Sequence, residues 1–176
     1  NVVTSLEMER ILSASRPFEG HLVRPSDHKE PDKIAWLQCV GSRDINCSDH
    51  SYCSSVCCMY TNKQTIIAKE HSDKELDTAV FFMDMRTHGK EFEKYYMRAK
   101  DEKGVRYIRS KVHTIDPVED DNLRLRYITE EGELVDLPGG AGPDALDAIV
   151  RDGHDEEVGS PSGCSSSASS MCSVST

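Results

Sequence analysis

Lys33-Ile34-Ala35-Trp36-Leu37-Gln38-Cys39-Val40-Gly41 is a mostly apolar run of strand length that ends on glycine. Apolar character this continuous marks a strand buried on both faces, as in parallel sheets, and the closing Gly predicts an exit into a loop. Helix and strand patterns then alternate downstream. Between residues 52 and 71, Val56, Met59, Tyr60, Lys63, Ile66, Ile67 and Glu70 recur at three- and four-residue intervals. That spacing predicts a helix with Val56, Met59, Ile66 and Ile67 facing inward. A second buried strand is expected over 76–85, around Thr78-Ala79-Val80-Phe81-Phe82-Met83. A second helix follows over 90–103, with Phe92, Tyr95, Tyr96 and Ala99 as its apolar side and Gly104 as its C-cap, and a third strand over 105–112. Strand, helix, strand, helix, strand is the βαβαβ half of a doubly wound sheet, an α/β fold. A Glu-Glu-Gly turn between 123–128 and 133–137 predicts an added β-hairpin.

Upstream of the first strand, Leu6, Met8, Ile11 and Leu12 predict a short helix over 5–14, ended by Pro17 and Gly20. Residues 25–32 carry the turn chemistry of a linker, so a boundary is expected between 1–32 and 33–137. After Pro138 the pattern changes. Half of the 18 residues from 159 to 176 are Ser, and the whole of 138–176 reads as a low-complexity, disordered tail. The opening Asn1-Val2-Val3-Thr4-Ser5-Leu6 reads as the middle of a longer sequence, so the chain is expected to be a fragment.

The chain has 176 residues, with 31 acidic against 21 basic side chains, a net charge of −10. Its Lys and Arg are scattered, which leaves no footprint for nucleic acid. No apolar run reaches the roughly 18 residues of a membrane span, and no secretory leader is seen; a cytoplasmic location is expected. Thiols stay reduced there, which favours metal or redox chemistry over disulfides.

Five of the seven cysteines fall within Gln38-Cys39-Val40-Gly41-Ser42-Arg43-Asp44-Ile45-Asn46-Cys47-Ser48-Asp49-His50-Ser51-Tyr52-Cys53-Ser54-Ser55-Val56-Cys57-Cys58. Four thiolates converging from separate elements can hold a cubane iron–sulfur cluster, and Cys39, Cys53, Cys57 and Cys58 are the candidate set. Cys53 and Cys57, one helical turn apart, would share a face; Cys58 would join them only if the helix begins irregularly. A helix N-terminus there would set partial positive charge and amides beside an anionic cluster. Structural zinc is a competing reading, although this spacing matches paired C-x-x-C motifs poorly. A dithiol switch is another, although adjacent cysteines bond only with strain. Cys47 reads as a bystander, His50 as an exposed loop residue rather than a ligand, and Cys164 and Cys172 in the tail are unassigned. The turn after the first strand also lacks the G-x-G-x-x-G that cradles a dinucleotide pyrophosphate, so the crevice at the strand's carboxyl end is expected to serve another cofactor. Asp84 and Arg86, where such a fold would bind ribose, are given a structural or interface role.

The runs Asn1–Glu7, His21-Leu22-Val23-Arg24-Pro25-Ser26-Asp27, Ile34–Asp44, Tyr52-Cys53-Ser54-Ser55-Val56-Cys57-Cys58-Met59-Tyr60 and Met83-Asp84-Met85-Arg86-Thr87 resemble the A-type subunit of heterodisulfide reductase. This family comprises iron–sulfur flavoproteins of methanogens and of many sulfate-reducing and other anaerobic bacteria. The resemblance extends to about Leu137. It implies a thioredoxin-reductase-like module in which an NAD-like domain interrupts an FAD domain, so that 1–32 would be the end of an FAD-domain segment. It also places the ligands of a 4Fe-4S cluster on Cys39, Cys53, Cys57 and Cys58. The implied function is electron relay for heterodisulfide reduction: FAD in the full-length protein splits or combines electron pairs, and clusters carry single electrons. Partners would be other subunits of the reductase and, in some relatives, hydrogenase or formate dehydrogenase subunits. The chain departs from the family in lacking the FAD glycine motif and the C-x-x-C-x-x-C-x-x-x-C repeats, and its sequence after Leu137 is not read as the returning strands. The alternative is a non-enzymatic cysteine-rich domain that binds metal or senses redox state while docking on other proteins.

Overall fold

The computed structural model describes residues 1–15, 17–45, 50–137 and 146–151. The expected βαβαβ unit is present: β2 (Lys33–Leu37), α2 (Cys57–His71), β3 (Asp77–Phe82), α3 (Phe92–Met97) running on into a π-helical turn (Arg98–Glu102), and β4 (Arg106–Arg109). Ahead of it come β1 (Val2–Thr4) and α1 (Ser5–Ile11); after it come β5 (Val112–Pro117), β6 (Leu123–Ile128), β7 (Leu134–Leu137) and β8 (Ala148–Arg151). The first five-stranded sheet has the order β1-β8-β2-β3-β4, parallel throughout. The second is antiparallel, with the order β5-β6-β7. The fold is α/β, as its sequence pattern predicts.

Side chains alternate across a strand, so the parallel sheet has two buried faces. Ile34, Trp36, Val80 and Val150 face the helices, together with Met8, Ile11, Ile66 and Ala99. Ala35, Leu37, Phe81 and Ile149 face the other way and meet Leu123 and Leu125 of β6. Phe81 and Tyr127 close this second layer edge to face, with ring centroids 4.9 Å apart. Burial on both sides is why β2 and β3 lack polar alternation.

Three expectations are corrected. The sequence reading divides the chain after residue 32, but β1 lies in the same sheet, and Val3, Met8, Ile11, Leu12 and Leu22 share one core with Ile34 and Trp36. The tail assigned to 138–176 returns as β8 between β1 and β2, pairing Ile149 with Val2 and Ala35. Asp147 fixes that return: its Oδ2 accepts from the Asp32 and Lys33 amides at 2.7 and 2.8 Å. The rest of that segment, apart from Leu146, lies outside the described residues. Finally, α2 begins at Cys57 rather than at 52, and Val56, expected to point inward, is 53 % exposed.

Ile66 is buried on the inward face of α2 as expected, with Ala68, but the rest of that face is largely polar. Thr61, Asn62, Gln64 and Thr65 are fully buried there. Trp36 Nε1 donates to Gln64 Oε1 at 3.1 Å, Gln38 Nε2 to Thr61 Oγ1 at 2.6 Å, and the Tyr107 hydroxyl to Asn62 Oδ1 at 2.6 Å. A buried polar group is tolerated when it is hydrogen-bonded, and these bonds tie the helix to β2 and β4 at fixed register.

Candidate metal centre

The site is built where β2 runs out. The Gln38 amide still donates to Phe81 O at 2.9 Å, after which Cys39 turns away at φ 61°. Gly41 and Arg43 are also left-handed, at φ 69° and 56°. For Cys and Arg this conformation costs about 1–2 kcal/mol each. Such strain persists only where surrounding contacts over-determine it, and it concentrates at functional sites. Those contacts are visible: Arg43 N–H donates to Tyr52 O at 3.2 Å, and Asp44 and His50 exchange backbone bonds of 2.7 and 3.1 Å. The loop therefore folds back, as its length permits, and delivers Cys53 towards the end of β2. His50 sets its ring Nδ1 3.1 Å from Gly41 O, bracing the loop.

Cys53 is not on the helix, which corrects the shared-face expectation. Ser55 at φ 61° breaks the chain between it and Cys57, and the Ser55 amide donates to Cys53 Sγ at 3.3 Å. Val56 at the N-cap provides no side-chain cap, and the first turn of α2 carries no acidic residue. The positive end of this 15-residue helix is thus directed at the cysteines. Cys39, Cys57 and Cys58 are buried, and Cys53 is partly exposed. Burial pushes the Cys39 thiol up, and the electrostatic influence of Cys57 and, less strongly, Cys53 pushes it further, with a hydrogen bond from Arg43 opposing. These three thiols are therefore electrostatic neighbours. Cys58 is directed elsewhere: its Sγ donates to Asp84 O at 3.8 Å. Cys47, Cys164 and Cys172 lie outside the described residues.

Among the described residues no group of three or more His, Cys, Asp or Glu side chains is arranged to hold a single metal ion.

Sequence reasoning passed over Arg43. Its guanidinium pairs with Asp84 Oδ1, while Arg86 Nε donates to Asp84 Oδ2 at 3.0 Å. Burial would raise the Asp84 carboxyl, but the hydrogen bonds from Arg86 and Arg43 outweigh it and hold the group low. Asp84 thus accepts from Cys58 through its carbonyl and from Arg43 and Arg86 through its carboxylate. Only the left-handed turn at Arg43 brings these residues together, and no spacing rule encodes it. Beside Cys39 and Cys57 a cavity of about 400 Å³ opens between α1 and α2, lined also by Leu6, Val40, Val56 and Tyr60. It lies at the carboxyl ends of β1 and β2, where open α/β sheets place their ligands.

No protein-family model matches the chain. Among curated proteins, it is 42 % identical over 140 residues to one from Methanocaldococcus jannaschii named as the A-type iron-sulfur subunit of CoB–CoM heterodisulfide reductase, with the match covering 78 % of this chain and 21 % of that protein. It is 40 % identical over 160 residues to a Methanopyrus kandleri protein of the same designation, numbered 2, covering 85 % of this chain and 24 % of the relative. It is 42 % identical over 140 residues to the Methanococcus maripaludis protein named as the A-type subunit of H2/formate:CoB-CoM heterodisulfide, ferredoxin reductase, covering 78 % and 21 %. The chain spans about a fifth of the length of these relatives.

Proposed function

Over 78 % of its residues this chain is homologous to a segment of the A-type subunit of heterodisulfide reductase, and from that kinship we propose that it is the cluster-bearing, NAD-like part of an electron-relaying oxidoreductase subunit. Its ligands are Cys39, Cys53, Cys57 and Cys58, and its cofactor is a 4Fe-4S cluster. In the longer protein, FAD exchanges electron pairs with such clusters, and bifurcation belongs to that assembly. Reductase, hydrogenase or formate dehydrogenase subunits are the partners, in the cytoplasm. The observation that carries this reading is the buried, left-handed Cys39 at the end of β2, beside Cys57 at the uncapped start of α2.

When bound, a 4Fe-4S cluster supplies one-electron transfer. The chain's own groups do the rest. Cys39 and Cys57 hold it from two rigid elements, and Cys53 from the folded-back loop. Cys58 completes the set by turning from the Asp84 carbonyl. The amides at the start of α2 and the guanidinium of Arg43 face the negative charge of the thiolates. Val40 and Val56 line the adjoining cavity.

Anaerobic purification and metal analysis test the proposal. About four iron and four sulfide per chain, with a broad visible absorbance, are expected. Colourless protein carrying zinc would instead support the non-enzymatic metal-binding alternative.

A further inference from the structure

We draw no further inference here: the strongest candidate, the cavity of about 400 Å³ between α1 and α2 at the carboxyl ends of β1 and β2, is lined by Cys39 and Cys57 and so belongs to the site already described, and nothing in the structure shows what covers its exposed apolar rim at Leu6 and Val56.

Discussion

Trp36 of β2 donates its indole N–H to Gln64 of α2 across 3.1 Å, inside a helix-to-sheet contact where both side chains are fully buried. Gln64 also donates its amide to Ser5 O and Glu9 Oε1, each at 3.0 Å, so one side chain joins β2, α2 and α1. The register of α2 on the sheet, and with it the height of Cys57 above the end of β2, depends on that junction.

Gln64→Leu removes these bonds while keeping much of the volume. It leaves the Trp36 N–H buried without its partner, at about 1–3 kcal/mol for an unsatisfied buried group. Urea denaturation should show a midpoint well below that of wild type. A midpoint within error of wild type would mean that α2 is held by shape alone.

Cys57→Ser should abolish iron binding, because Cys57 is the ligand position on the rigid helix start. Cys47→Ser should leave iron content unchanged, as should the tail substitutions Cys164→Ser and Cys172→Ser. Iron and sulfide analysis after anaerobic reconstitution distinguishes them; a cluster lost with Cys47 and kept without Cys57 would reverse the ligand assignment.

Ile149→Ala tests β8. Ile149 is fully buried in the layer formed with Ala35, Phe81 and Leu125. Removing its side chain should cost about 2–5 kcal/mol of unfolding free energy, as for other core truncations to Ala. A tail without structure would give no change, so thermal or urea melting separates the two cleanly.

Asp27 gives the chain a pH dependence. The hydrogen bond from Arg24 holds its carboxyl well below the usual carboxylate range, against the opposing effect of desolvation, with the Lys29 amide adding to it. A carboxylate depressed in the folded state stabilises the fold above its unfolded value of about 4, and that stabilisation is lost as pH falls through the folded value. Asp27→Asn should therefore lower the urea midpoint at pH 7, and the gap from wild type should close on acidification below about pH 4. A gap that stays constant from neutral to acid pH would show that the Arg24 contact contributes no charge-dependent stability.

Much of this was legible in the chain itself. Unbroken apolar runs in β2 and β3 and the three- and four-residue spacing in α2 specify a βαβαβ unit, because a strand buried on both faces has no polar side to alternate with. The clustered cysteines likewise name the candidate site. Other features carry no local signal. Val2-Val3-Thr4 and Ala148-Ile149-Val150 are too short to register as strands alone, and they become strands because β8 pairs with β1 on one side and with β2 on the other. Thr61, Asn62, Gln64 and Thr65 read as a solvated face until Trp36, Gln38 and Tyr107 supply their partners. The displacement of Cys53 from the helix and the pairing of Arg43 with Asp84 follow from left-handed residues in a folded-back loop, and the contact of Cys58 with Asp84 from the packing of α2 beyond β3. Periodicity is a property of neighbours along the chain, whereas these juxtapositions join residues up to 41 positions apart, so only tertiary packing could decide them.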